Sequence, residues 1–163
     1  MKGNHPVLFC HGLESGPHGS KYQALMAAGF EPIAPDCRGK DLAERVALVT
    51  ELLAEHRPVV IGSSYGGITA VLAAERAGVE LPGMILCAPA LELAEPPNDA
   101  PHALRALCPT TIVHGLRDDV VPIEVSRRFA ARTGATLIEV DDDHRLSASR
   151  EVIVEVVAGM VGA

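Results

Sequence analysis

Tryptophan is absent from this chain, and its 163 residues include only two tyrosines and three phenylalanines. No aromatic-lined pocket can therefore be read from the sequence. Long apolar runs are also missing: none approaches the ~18 residues that a membrane span needs. The opening MKGNHPVLFCHG carries one lysine and then a five-residue apolar run. A secretory signal needs a longer apolar region and a small-residue cleavage site, so the expected location is the cytoplasm, with no membrane partner. No basic patch stands out, and the formal net charge is −7, which argues against a nucleic-acid partner. Cysteine is sparse. Cys10, Cys37, Cys87 and Cys108 form no CxxC, so neither a zinc site nor a redox pair is suggested. They read as reduced thiols, mostly buried as small hydrophobes.

What is present is the composition of a globular protein, 48% hydrophobic and 21% charged. The length fits one domain over residues 1–163. Short apolar runs alternate with amphipathic ones. Strands are predicted at 6–10 (PVLFC), 30–35 (FEPIAP), 59–61, 83–89 (GMILCAP), 109–113 and 135–140 (ATLIEV). Helices are predicted from Ser20, which could act as cap, to Gly29, over 41–56, over 64–77 and over 122–133. In the second helix Leu42, Val46, Val49 and Leu53 share one face. Gly78 and Gly134 supply helix stops, and Pro122 a start. The C-terminal REVIVEVVAGM is rich in β-branched residues. Ile153, Val156, Val157 and Met160 nevertheless recur at helical spacing, so it reads as a helix. This alternation predicts a three-layer, doubly wound α/β domain with a mostly parallel sheet of about six strands. Ligands in such folds bind beyond the carboxyl ends of the strands.

One such strand end is VVIGSSYGGITAV, residues 59–71, where two serines compete. Ser64 lies between Gly62 and Gly66 and completes a GxSxG; Ser63 lacks glycines two residues to either side. A serine on a sharp strand-to-helix turn has its hydroxyl pushed above the sheet. Strand and helix then pass so closely that positions two before and two after must be small. The helix N-terminus also aims backbone N–H groups at the site, which suits a developing oxyanion. At average glycine content, a chance GxSxG somewhere in such a chain has a probability of roughly 0.05. The bland alternative is a Ser/Gly turn that only caps a helix.

CHGLESGPHGSK, GSSYGG, VHGLRDDVVP and VDDDHRLS follow one another across nearly the whole chain. On these segments the sequence resembles the α/β-hydrolase superfamily, and most nearly its small bacterial serine esterases of the YqiA/YcfP type. The resemblance implies a minimal, lidless α/β-hydrolase fold acting as an esterase or thioesterase. It also implies no cofactor, no metal and a small-molecule ester or thioester substrate. In that family the nucleophile, the acid and the histidine follow in this order along the chain. Of the seven histidines, only His102, His114 and His144 follow Ser64. His114 ends a strand and reads as structural. His102 lies in the Pro-rich EPPNDAPHAL. His144 follows the last strand and is the expected base. The acid belongs after the fifth predicted strand, where D-x-V-V-P assigns Asp118, with Asp119 as the alternative. Of Asp141, Asp142 and Asp143, at least two read as a solvated turn; one could tune the histidine or cap the last helix. The oxyanion donors would be the N–H groups of Tyr65 and Leu13, with His11 structural. Glu14, Ser15, His18 and Lys21 are candidates for the pocket mouth.

Two departures stand out. The two strands that usually open the full fold are missing, and residues 90–108 are too short for a typical lid, though they could form a flap. A non-catalytic binding protein on the same fold, or an acyltransferase or peptidase using the same three residues, are the competing readings.

Overall fold

Five short aliphatic stretches form the strands of a single parallel sheet in the computed structural model, which describes residues 4–92 and 104–162. The order along the chain is β1 (Val7–Cys10), α1 (Ser20–Ala27), α2 (Leu42–His56), β2 (Val59–Ser63) and α3 (Tyr65–Ala77). Then come β3 (Met84–Cys87), β4 (Thr110–Gly115), α4 (Ile123–Thr133), β5 (Thr136–Val140) and α5 (Arg150–Val161). The strands pair in sequence order, β1-β2-β3-β4-β5, each parallel to its neighbour.

Alternate strand residues face opposite layers, as the pleat requires. Leu8, Cys10, Val60, Met84, Leu86 and Ile112 pack under α2, α3 and α4. Val7, Phe9, Val59, Ile61, Ile85, Cys87 and Val113 pack under α1 and α5. Several of these, such as Leu8, Ile61, Ile85 and Ile112, have no exposed surface. Each fully buried aliphatic side chain contributes roughly 1.5–3 kcal/mol by leaving water. The three layers are therefore those expected from the sequence.

The strand predicted at 30–35 does not form. Only Ile33 bridges to Leu8, with Phe9 N–H donating to the Ile33 carbonyl (2.8 Å) and Ile33 N–H donating to the Val7 carbonyl (2.8 Å). The next residue that would face β1 is Pro35, which has no N–H to continue the ladder. The sheet thus has five strands and an edge bridge rather than six strands. That bridge still shapes the topology. The chain leaves β1 over α1 on one face, reaches Ile33 at the outer edge, and returns over α2 on the other face to β2. The helices that follow β1 and β2 thus lie on opposite faces of the sheet, α1 with α5 and α3 with α2.

Helix boundaries follow local chemistry. Asp41 and Glu44 form a capping box at the start of α2: the Asp41 carboxylate accepts from Glu44 N–H (2.8 Å), and the Glu44 carboxylate accepts from Asp41 N–H (3.4 Å). Ser20 is not a cap but the first residue of α1, after Gly19. The ambiguous C-terminal run is helical, and Ile153, Val157 and Val161 are its buried residues. All four cysteines are free thiols, and three are buried. Burial pushes the Cys87 thiol up to about 11 and that of Cys10 further still. Among the described residues, no helix is long and apolar enough to cross a membrane. The expected flap lies largely outside them, as does His102.

Candidate active site

β2 ends on Ser63 and the chain reverses at Ser64, which has φ 53° and ψ −113°. A side chain bearing Cβ is strained in this region of backbone space. Three hydrogen bonds hold it there: Ser64 N–H donates to the Cys87 carbonyl, and the Ser64 carbonyl accepts from Gly67 N–H and Ala90 N–H, each at 2.9 Å. The flanking glycines answer a demand for space. A Cβ on Gly62 would lie 2.5 Å from the Gly66 carbonyl oxygen, and one on Gly66 would lie 2.1 Å from that of Cys10. A Cβ on Gly67 would meet Pro89 at 2.6 Å. Ser63 stays in the sheet, in register with Cys87.

Two loops from neighbouring strands reach Ser64. His144, on the loop after β5, brings Nε2 to 3.0 Å from Ser64 Oγ. Its Nδ1 lies 2.8 Å from Asp118 Oδ2, on the loop after β4. The acid that meets the histidine is Asp118, whose side chain is fully buried. Asp119 is exposed. Asp118 Oδ1 accepts from the N–H groups of Val120 (2.9 Å) and Val121 (2.8 Å), which pins the carboxylate on its own turn. The two loops pack closely because residue 115 is glycine, where a Cβ would stand 2.4 Å from the Asp142 carbonyl oxygen.

The three aspartates before His144 divide their work. Asp141 is exposed and pairs with Arg117 at 2.9 Å. Asp143 Oδ1 accepts from Arg145 N–H within the turn. Asp142 is buried and ties the loop to the start of α5, accepting from Ala148 N–H (2.9 Å) and Ser149 Oγ (2.8 Å), and from Asp143 N–H (2.8 Å). Burial opposes ionisation of Asp142, but the hydrogen bonds from Ser149, Asp143 and Ala148 outweigh it and hold the carboxyl below its ordinary range. A depressed carboxyl contributes stability that is fully present above its unfolded value of about 3.9 and is lost as pH falls through the lower folded value. Asp142→Ala is therefore expected to destabilise the protein by about 1–3 kcal/mol at pH 7 in urea melts. The gap to wild type should narrow below about pH 4. A gap that stayed constant into acid would contradict this role.

Among the described residues, the N–H groups of Leu13, on the loop after β1, and of Tyr65, the first residue of α3, donate to no backbone carbonyl outside the helices and strands. The loop itself is held firmly. Gly12 N–H donates to Ser15 Oγ (3.1 Å). His11 is buried, with Nδ1 donating to the Gly12 carbonyl (2.7 Å) and Nε2 accepting from Cys37 N–H (2.8 Å). These contacts define its neutral tautomer. Burial, and then the nearby Arg45 charge, keep it below its ordinary range despite the bond to Gly12. Arg45 is 1% exposed. It donates to the His11 carbonyl (3.1 Å), and its guanidinium lies 5.0 Å from the centre of the Tyr65 ring. Of the residues proposed for the mouth, His18 lines a pocket of about 470 Å³ with Gly16, Pro17, Ala34, Asp36 and Arg38. Lys21 instead donates to the Arg145 carbonyl (3.1 Å), linking α1 to the histidine loop.

Arg45 and His114 are the residues that the sequence underrates. Arg45 sits in a polar stretch of an amphipathic helix, and no sequence signal marks it as buried. His114 has the look of a strand-end residue, yet its Nε2 lies 3.1 Å from Asp118 Oδ2. The one available signal is its spacing of four from Asp118.

A strained serine turn, an aspartate and a histidine meet at the carboxyl ends of β2, β4 and β5 of this parallel sheet. The family model for the alpha/beta hydrolase family matches residues 7–150, and the chain belongs to that family. A protein of the α/β superfamily from Xanthomonas campestris pv. campestris is 26% identical, with a TM-score of 0.81 over 98% of both chains. The fold is shared with an esterase from Exiguobacterium antarcticum (14% identity, TM-score 0.77, 100% of this chain and 94% of that one). It is shared too with a monoacylglycerol lipase from Paleococcus ferrophilus (18%, 0.72, 97% of both). A search of curated proteins finds no match.

Proposed function

We propose that this chain is a serine hydrolase that cleaves carboxylic ester or thioester bonds of a small-molecule substrate through an acyl-enzyme on Ser64. The observation that carries this reading is the continuous line from Ser64 Oγ through His144 to Asp118, with contacts of 3.0 and 2.8 Å. His144 Nε2 takes the proton from Ser64 as the hydroxyl attacks the carbonyl carbon. Asp118 keeps the other ring proton on Nδ1 and stabilises the imidazolium. The Leu13 and Tyr65 N–H groups receive the oxyanion. His144 then protonates the leaving alkoxide or thiolate. Next it activates a water that releases the acid and regenerates Ser64. The likeness to small lidless bacterial esterases belongs to this proposal and favours accessible substrates.

The test is an acyl-chain series of p-nitrophenyl esters and matching thioesters, run on wild type and His144→Ala. Wild type should turn over, and His144→Ala should lose at least ~10³-fold in kcat, the scale of losing one member of such a set. No turnover anywhere in the series would overturn the proposal in favour of a binding protein. Turnover that survives His144→Ala would move the base elsewhere.

A further inference from the structure

We propose that Arg45 is a positioning residue for the oxyanion hole: its buried guanidinium grips the His11 carbonyl, two residues before Leu13, and faces the ring of Tyr65, and so fixes the spacing between the two N–H donors. The inference rests on the serine-hydrolase reading for its functional meaning. Its geometry stands by itself.

Arg45 is one of the buried residues of α2, with Leu42, Val46, Val49 and Leu53. Its Nη1 donates to the His11 carbonyl (3.1 Å) and its Nε to the Lys40 carbonyl (3.3 Å). The guanidinium carbon stands over the Tyr65 ring, 5.0 Å from its centre and within cation–π range. These partners are two carbonyl dipoles and a ring face, and none is an anion. Burying a cation without a counter-ion is unfavourable. A methionine or leucine there would complete the apolar face of α2 without that penalty, so packing alone does not account for the arginine.

What it holds are the two segments that carry the donors. Leu13 follows His11 on the loop after β1, and Tyr65 opens α3. Among the described residues, no backbone hydrogen bond joins residues 11–19 to the first turn of α3. The bonds within the loop, from Gly12 N–H to Ser15 Oγ and from His11 Nδ1 to the Gly12 carbonyl, fix its shape. The bond from Cys37 N–H to His11 Nε2 ties it to the segment before α2. None of these sets its distance from α3. The His11 carbonyl oxygen packs so near α3 that a Cβ on Gly66 would lie 2.7 Å from it. Packing of this kind limits how closely the loop approaches but does not hold it there. Arg45 does, because a fork of N–H groups and a flat face let one side chain bind a carbonyl and a ring at once. Without it the loop can drift from α3. A donor displaced by about 1 Å no longer meets the oxyanion at hydrogen-bond distance. The substrate carbonyl is a weaker acceptor and loses less, so the effect falls on kcat rather than KM.

The experiment compares wild type with Arg45→Met, Arg45→Lys and Tyr65→Leu. Methionine fills the space and removes the charge and every donor. Lysine keeps the charge but has neither fork nor flat face. Tyr65→Leu removes the ring and keeps the backbone N–H. Three readouts are used: kcat and KM on a p-nitrophenyl ester, inhibition by a trifluoromethyl ketone, whose adduct with a serine hydroxyl carries an oxyanion, and NMR relaxation of the Leu13 and Tyr65 amides. In Arg45→Met, kcat should fall about 10- to 100-fold, less than the roughly 10²–10³-fold of deleting a donor outright. KM should stay within about twofold, and affinity for the ketone should fall in step with kcat. Both amides should gain ps–ns motion. Arg45→Lys should recover part of the loss. Tyr65→Leu should lose about three- to tenfold alone and add little to Arg45→Met, because the two act through one contact. An unchanged kcat in Arg45→Met, or a rise in KM with kcat intact, would overturn the inference and leave Arg45 a packing residue. Full recovery in Arg45→Lys would overturn it in favour of charge alone. Where Arg45→Met does not fold, Arg45→Lys decides: a loss in kcat at unchanged KM is expected, and a wild-type kcat overturns the inference. The relaxation measurement needs no substrate. Amides that loosen in a protein that hydrolyses no ester would therefore fail the functional reading alone.

Discussion

Ser64→Ala is expected to abolish labelling by a fluorophosphonate probe and to lower ester turnover by about 10⁵- to 10⁶-fold. The size of this effect follows from the geometry. Ser64 Oγ is the hydroxyl that His144 Nε2 meets, at 3.0 Å. Its backbone is held by three hydrogen bonds in a conformation that serine would not otherwise choose. The hydroxyl is therefore presented at one point above the sheet, and alanine leaves nothing there for the base to activate. Ser63→Ala is the matched control. Its side chain belongs to β2, and labelling should be unchanged. Mass spectrometry of the labelled peptide reads the outcome directly. Label that survives Ser64→Ala, or is found on Ser63, would sink the nucleophile assignment.

The second large effect is expected from Gly66→Ala. The added methyl group would lie 2.1 Å from the Cys10 carbonyl oxygen, 2.7 Å from the Cys10 carbonyl carbon and 2.7 Å from the His11 carbonyl oxygen. These are backbone atoms at the end of β1, and they cannot rotate aside as a flexible side chain can. Either α3 moves off the sheet or the loop after β1 shifts. The first disrupts the α2–α3 layer, and the second displaces Leu13. A loss of more than about 4 kcal/mol is expected, at the extreme of single substitutions. For a domain of this size that lowers the melting midpoint by roughly 10 °C or more, if the protein folds at all. Gly159→Ala supplies the contrast. It lies within α5 with nothing within 4 Å of an added Cβ, so alanine there should stabilise by roughly 0.5–1 kcal/mol. Circular dichroism melts of the two variants check both expectations. A Gly66→Ala protein with a wild-type midpoint would mean the close crossing is not required.

The choice between the two serines is legible in the sequence. Gly62 and Gly66 bracket Ser64 and not Ser63, and the spacing reflects a crowding that the chain must solve locally. The layer order is legible too, because uninterrupted aliphatic strands with amphipathic runs between them can bury both faces of a sheet in few ways. Even the C-terminal helix follows from its spacing, against the β preference of its valines. Where sequence and structure part, tertiary competition is the cause. FEPIAP has the apolar character of a strand, yet an edge position beside Pro35 limits it to a single bridge at Ile33.

By itself, then, the sequence determined all five strands, the helices and the turn at Ser64, because each depends on residues near one another in the chain, while the short list of Asp118, Asp119 and His144 came through the family resemblance and its chain order. Only the tertiary structure decided that Asp118 rather than Asp119 turns inward to His144. It also placed the Arg45 guanidinium beneath the loop after β1 and His114 against the same carboxylate as His144. Those outcomes depend on the register of β4 and β5 and on which face of α2 and α4 meets the sheet. Hydrogen bonds across such contacts are selected by the burial of whole layers, and no local pattern encodes that.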